Sequence, residues 1–104
     1  MAKSPSSPLK LSASGVEFWK ADVSLGNLIY RLRQSKDIAD ETRAKLTAYL
    51  AAGQAILKAP MPDRELVDAL LVRPLNEAIE KVPSQDIGES AKELLDWLKG
   101  VLAQ

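Results

Sequence analysis

The chain has 104 residues, of which 46% are hydrophobic and 27% charged, and its 14 basic and 14 acidic residues give no net charge. This length suffices for one domain with its own core, and the composition is typical of a globular rather than a disordered protein. Because histidine and cysteine are both absent, the chain lacks the commonest acid/base group and transition-metal ligand, and it excludes disulfides and thiolate catalysis.

Targeting signals and charge distribution give further expectations. No apolar run approaches the ~18 residues of a membrane span, and no hydrophobic signal segment follows Met1. We therefore expect a cytoplasmic protein without membrane contact. The charges are unevenly placed, with six basic and two acidic residues in 1–36 and five basic and nine acidic residues in 60–104. The two ends of the chain can attract each other within one molecule or between two.

The first 14 residues, MAKSPSSPLKLSAS, contain two prolines, five serines and no acidic residue. This composition predicts an extended Ser/Pro-rich tail rather than a helix or strand. Residues 15–104 are then a single helical domain.

The first predicted helix spans about 15–34 and carries two apolar stripes. Its main apolar face comprises Phe18, Ala21, Leu25, Leu28, Ile29 and Leu32. A second stripe, here called the aromatic ridge, consists of Trp19, Val23 and Tyr30, with Gly26 beside it, about a third of a turn away. Exposed aromatic residues concentrate at protein interfaces, so the ridge is a candidate partner-binding surface. The alternative is that this helix is buried on two sides, with the ridge covered by Leu9 and Leu11.

The second predicted helix spans 41–59, with Asp37 or Ser35 as the expected cap, and is apolar on two opposite sides. One side carries Leu46, Tyr49, Leu50, Gly53, Ile56 and Leu57. The other carries Ala44, Ala48, Ala51, Ala52, Ala55 and Ala59. An ordinary surface helix has one apolar stripe, so we expect this helix to be sandwiched. Its alanine face, defined by Ala44, Ala48, Ala52 and Ala55, then packs inside the monomer or forms the seam of a homodimer.

The third predicted helix begins at Pro62 or Asp63 and ends near Val82. Its apolar positions before and after Pro74 are offset by about 80° around the helix axis. Proline removes a hydrogen bond and clashes with the carbonyl four residues back. We therefore expect a kink near Val72–Arg73, or two short helices.

The fourth predicted helix spans 86–102 and is a one-sided amphipathic helix. No stretch alternates with a period of two, so no strand is predicted. Four helices joined by short turns favour an all-α, compact up-and-down bundle. An orthogonal helical array is the alternative.

A cluster of basic residues surrounds the first turn and comprises Arg31, Arg33, Lys36, Arg43 and Lys45. It is interleaved with three acidic residues, and the isoelectric point is about 6.3. A nucleic-acid binder usually presents a basic face on a basic domain. The sequence therefore argues against nucleic-acid binding, although this weak basic cluster keeps it as an alternative.

No catalytic constellation is recognisable. The closely spaced acidic pairs, such as Glu77 with Glu80 and Asp86 with Glu89, fall on predicted solvent faces, so we expect no metal, no cofactor and no enzymatic activity. The sequence favours a small helical module that binds another protein or itself through the aromatic ridge. A second hypothesis is a carrier of an apolar small molecule, with its pocket between the bulky face of the second helix and Pro74. A third is a regulator that contacts nucleic acid through the basic cluster.

Overall fold

The computed structural model describes residues 16–59 and 62–103, so the predicted tail at 1–14 lies outside the described residues. Over these ranges the chain forms a compact domain of four helices without a strand. Helix α1 is Val16–Gln34, α2 is Asp40–Leu57 and α4 is Gln85–Leu102. Helix α3 consists of an α-helical turn Arg64–Val67, a π-helical segment Asp68–Val72 and an α-helical segment Arg73–Lys81.

The direction of each helix follows from contacts between helix ends. The start of α1 meets the end of α2, the start of α2 meets the later part of α3, the start of α3 meets the end of α4, and the end of α4 returns to the start of α1. These contacts join Asp22 to Lys58, Lys45 to Glu77, Arg64 to Leu102 and Phe18 to Trp97. Neighbouring helices are therefore antiparallel, and the predicted up-and-down bundle is confirmed.

One apolar stripe from each helix fills the core. The buried hydrophobic residues are Phe18, Ala21, Leu25, Leu28, Ile29 and Leu32 of α1, Leu46, Leu50 and Leu57 of α2, Val67, Leu71, Leu75 and Ala78 of α3, and Ile87, Ala91, Leu94, Leu95, Leu98 and Val101 of α4, with Ile38 and Val82 from the turns. The main face predicted for α1 is buried in full. Thr47 is the one buried polar residue among the described residues, and its hydroxyl donates to the Arg43 carbonyl at 2.8 Å.

The irregularity predicted near Pro74 is the π-helical segment that directly precedes the proline. The Arg73 amide donates to the carbonyl of Asp68 rather than to that of Ala69. A regular α-helical turn would press the proline ring against the Leu70 carbonyl, four residues back. The wider turn relieves this clash, so the chain remains helical through the break instead of splitting into two separate helices.

Gly53 lets α2 approach α3 closely at the same place. A Cβ added at Gly53 would overlap the Leu71 side chain and lie 3.0 Å from the Leu70 carbonyl oxygen. Pro74 has no amide hydrogen to offer that carbonyl, so the glycine packs against a backbone oxygen that has lost its usual helical donor. The close approach in this bundle therefore involves a glycine on the bulky face of α2.

The alanine face does not pack inside the monomer, contrary to the expectation of a sandwiched helix. All four of its residues, Ala44, Ala48, Ala52 and Ala55, are exposed. Within the described residues, helix α2 packs against α1 and α3 at a corner of the bundle, and the alanine face points away from both. Three large residues on predicted apolar faces also remain partly exposed, namely Tyr49 at 44%, Leu66 at 43% and Ile79 at 37%.

Candidate functional site

The aromatic ridge is exposed along its whole length. Trp19 is 63% exposed, Val23 41% and Tyr30 65%. Phe18, the immediate neighbour of Trp19, is only 9% exposed and meets the Trp97 ring edge to face, with the ring centroids 6.5 Å apart. Successive residues of a helix point about 100° apart, so the core holds Phe18 while Trp19 points away from it. The interpretation in which Leu9 and Leu11 cover the ridge concerns residues outside the described ranges.

The ridge lies next to the side of α1 that faces α2, on the outer surface of the bundle. The amide nitrogen of Gln54 on α2 donates to the carbonyl and carboxylate oxygens of Asp22, both at 3.2 Å. Lys58 forms an ion pair with the same carboxylate at 3.5 Å. A Cβ added at Gly26 would lie 3.5 Å from the Gln54 amide. Going around α1 from the core, one therefore meets the side toward α2 first and then the ridge.

The alanine face lies on the same outer side of the α1–α2 hairpin. Going around α2 from buried Leu50, the helical phase first brings Gln54 and Lys58, which contact α1, and then the alanines. The two candidate surfaces are therefore adjacent parts of one surface. We call this surface the α1–α2 outer face, defined by Trp19, Val23 and Tyr30 of α1 and by Ala44, Ala48, Ala52 and Ala55 of α2.

The charges of this face sit at its ends. One end holds the Asp22–Lys58 ion pair. The other holds two exposed arginines in the last turn of α1, Arg31 and Arg33, together with the acidic residues that begin α2, Asp40 and Glu41. Val23 and Tyr30 of the ridge and most of the alanine face lie between these ends, whereas Trp19 precedes Asp22 on α1. Such a surface offers apolar contact in its centre and charge recognition at its rim.

The basic cluster does not form one cationic patch. Arg43 forms an ion pair with Asp40 at 3.0 Å and donates to the Ile38 carbonyl at 3.3 Å, so it closes the first turn. Lys45 donates to Glu77 of α3 at 2.7 Å. Only Arg31, Arg33 and Lys36 of the cluster are exposed without such a neighbour among the described residues.

The sequence predicts a free solvent face for Glu77. In the structure its carboxylate instead lies between two lysines. Its side chain is 20% exposed and binds Lys45 at 2.7 Å and Lys81 at 2.9 Å. The hydrogen bonds from Lys45 and then Lys81 hold the pKa of the Glu77 carboxyl below its usual value. The hydrogen bond to Glu77 raises the pKa of Lys45. This group links α2 to α3.

The core formed by residues 16–59 and 62–103 leaves little room for a ligand among the leucines at its centre. The void among Leu25, Leu57, Leu71 and their neighbours measures about 10 Å³, whereas a single water needs ≳10–15 Å³. The position expected for a carrier pocket, at Gly53 and the break before Pro74, is filled by Leu71. On its outer side lies an open groove of about 280 Å³ that Tyr49 and Pro74 help to line.

In residues 16–59 and 62–103 no three acidic side chains gather in a way that would hold a metal ion. No helix in the described part of the chain has the length and apolar character needed to cross a membrane. No protein-family profile, curated protein or solved structure matches the chain.

Proposed function

We propose that this chain is a small non-enzymatic helical module that binds another protein or itself through the α1–α2 outer face. The exposure of the aromatic ridge carries the proposal. The proposed module needs no cofactor and acts in the cytoplasm. The absence of cysteine is consistent with that location.

The energetic support comes from the area that the ridge leaves in water. Trp19 and Tyr30 each keep more than three-fifths of their surface exposed. Aromatic side chains have 150–250 Å² to bury, so covering the remaining area is worth on the order of 3 kcal/mol for each ring at about 25 cal/mol per Å². Two such rings and Val23 on one stripe are a sufficient anchor for a protein partner.

The two alternatives rest on weaker observations. A carrier of an apolar molecule has to open the bundle, because the interior void has room for about one water. A nucleic-acid regulator has Arg31, Arg33 and Lys36 to offer, but Arg43 and Lys45 are paired with acids. A ligand that copurifies in native mass spectrometry favours the carrier. Retention on heparin that falls steeply with salt favours the regulator.

The first test compares ridge substitutions with a substitution at the buried neighbour of Trp19. We expect Trp19→Ala and Tyr30→Ala to leave helicity unchanged and to shift the free energy of unfolding by less than about 1 kcal/mol, because exposed sites tolerate change. Phe18→Ala serves as the matched control and should cost about 3–5 kcal/mol, since it empties a core position. Denaturant unfolding monitored by circular dichroism measures all three.

The same experiment has an outcome that contradicts the proposal. If Trp19→Ala or Tyr30→Ala costs as much stability as Phe18→Ala in a monomeric chain, the ridge is covered by the protein itself. The surface is then not free for a partner, and the proposal loses its basis. If Trp19→Ala and Tyr30→Ala are as stable as the original chain, both variants should still fail to associate with the partner.

A further inference from the structure

We infer that the α1–α2 outer face binds a second copy of this chain, with α1 of each copy packed antiparallel on α2 of the other. This inference rests on the proposed function and names its partner. A two-fold axis parallel to the helices, lying in the plane between the copies, generates this arrangement. The two hairpins then pack face to face, with two helices from each copy, and the interface is self-complementary.

Large residues of α1 and small residues of α2 lie at matching levels along the hairpin. Asp22 of α1 lies level with the Gln54–Lys58 turn of α2, and antiparallel helices change level at the same rate per residue. Tyr30 lies eight residues after Asp22 on α1, and Ala48 lies eight residues before Ile56, which is the middle of that turn of α2. This register places Tyr30 level with Ala48, Gly26 level with Ala52, and Val23 level with Ala55.

A two-fold axis parallel to the helices preserves these levels. It carries α1 of one copy across to face α2 of the other, so the Tyr30 ring meets the surface around Ala48 of the second copy. Tyr30 and Val23 of the ridge then each face an alanine, where the small side chain leaves room for the larger one. Interdigitation of large and small residues at facing positions is the requirement for a well-packed helix interface.

The charges at the ends of the two copies are complementary. The same two-fold axis brings the basic last turn of α1, with Arg31 and Arg33, close to the first turn of α2 in the second copy. That first turn contains Asp40 and Glu41. Arg31, Arg33 and Glu41 have no ion-pair partner among the described residues of their own chain that would compete. Opposite charges at a rim steer association and fix register.

The area of the α1–α2 outer face is sufficient for a weak dimer. Helices of 19 and 18 residues are about 28 Å long, and two side by side are about 20 Å wide. This footprint amounts to about 1,100 Å² for the pair of copies, slightly above the ~1,000 Å² that a specific interface needs. We therefore expect a reversible dimer at the low end of the size range, which forms as concentration rises.

The competing arrangement, with α1 packed on α1, fits these residues less well. An axis perpendicular to the helices would set the ridge of one copy against the ridge of the other. Large residues would then oppose large ones, and the basic end of α1 would be far from the acidic start of the partner's α2. Both the register and the charges therefore favour α1 on α2.

The first measurement is the solution mass of the full chain by sedimentation and light scattering over a wide concentration range. We expect a monomer at low concentration and a dimer at high concentration. Ala52→Glu should abolish the dimer and leave the thermal unfolding of the monomer unchanged, because it puts a charge in the centre of the apolar contact. Ala69→Glu, at an exposed alanine of α3, is the matched control and should dimerise like the original chain.

The second measurement tests the arrangement by disulfide trapping, which has no background because the chain contains no cysteine. Copies carrying Val23→Cys are mixed with copies carrying Ala55→Cys of different mass and oxidised. We expect the mixed disulfide to form severalfold faster than either homodimer disulfide, since a disulfide requires Cα atoms within about 7 Å. Mixing Val23→Cys with Glu89→Cys, on the outer side of α4, is the control and should give none.

Each other outcome overturns the inference in a recognisable way. A dimer in which Val23→Cys copies crosslink mainly to one another has α1 on α1, and a dimer without the mixed disulfide uses another surface. A chain that stays monomeric at every concentration has no second copy as partner. If Trp19→Ala is then still tolerated, the proposed function survives with a different protein as partner. If it destabilises the fold, the proposed function fails as well.

Discussion

At the scale of single residues, Gly53 has the most constrained environment that the bundle gives to any described glycine. A Cβ at this position would overlap Leu71, whereas nothing lies within 4 Å of a Cβ added at Gly88 or Gly100. The Gly26 position meets only the end of the Gln54 side chain at 3.5 Å, an ordinary contact. Gly53 is therefore required for packing, while the other three lower helix stability without such a reason.

We expect Gly53→Ala to destabilise the domain by about 1–3 kcal/mol, because overpacking displaces Leu71 and the carbonyl of Leu70. Gly100→Ala is the control and should stabilise the domain by up to about 1 kcal/mol, since alanine has the higher helix propensity. Chemical denaturation of both variants measures the difference. A Gly53→Ala protein as stable as the Gly100→Ala protein would contradict the close approach of α2 to the break in α3.

At the scale of elements, the helices begin in two different ways. Helix α4 is capped by Ser84, whose hydroxyl oxygen accepts from the Ile87 amide at 3.3 Å. The cap position of helix α2 is Ala39, which has the extended backbone of a cap, φ −60° and ψ 146°, but no side chain to accept a hydrogen bond. The predicted caps Asp37 and Ser35 lie too early, and the Ser35 hydroxyl accepts from the Asp37 amide at 3.4 Å instead.

This difference predicts opposite effects of two conservative substitutions. Ser84→Ala should lower the free energy of unfolding by about 1 kcal/mol, because the start of α4 loses its acceptor. Ala39→Ser should raise it by a similar amount, because the position is exposed and already has the required backbone conformation. Thermal unfolding of the two single variants and of the double variant measures both effects. Destabilisation by Ala39→Ser would show that α2 begins elsewhere.

The break in α3 is also a property of an element. Its π-helical turn lies where Pro74 would clash with Leu70 and where Gly53 of α2 packs against the same backbone. A proline in a helix interior ordinarily costs about 3 kcal/mol. The wider turn avoids the clash, and the glycine makes room for the displaced backbone, so the two features accommodate each other.

At the scale of the whole molecule, Glu77 makes the link between α2 and α3 depend on pH. Its pKa is lower in the folded than in the unfolded chain because Lys45 and Lys81 bind it. A lowered carboxyl pKa contributes stability that is present above the unfolded value, about 4.3, and is lost as pH falls through the folded value. The pKa of Lys45 is raised, so its contribution is complete below about 10.4 and is lost at still higher pH.

We expect Glu77→Gln to lower stability by a small, constant amount between these limits, because exposed ion pairs contribute little. The difference from the original chain should shrink below about pH 4 and again above about pH 10.5. Glu80→Gln removes an exposed carboxylate three residues away and is the control for the loss of one negative charge. Unfolding free energies measured across the pH range test this, and a difference that grows toward low pH would contradict the sign.

The periodicity of the sequence was enough to predict the four helices, the buried face of α1, the one-sided α4 and the irregularity before Pro74. These features depend on neighbours within a turn or two of the same helix. Hydrophobic spacing and the geometry of proline act at that range whatever the rest of the chain does.

Only the packing of the helices decided which of several apolar stripes face protein and which face solvent. Periodicity gives the direction of Trp19, Tyr49 or Ala52 relative to its own helix axis, but not what stands in that direction. The fit of Gly53 against Leu71, the Lys45–Glu77 pair and the joining of the aromatic ridge to the alanine face each bring together separate helices. Their positions follow from how four cylinders share one core, because a helix at the corner of a bundle can bury only part of its circumference.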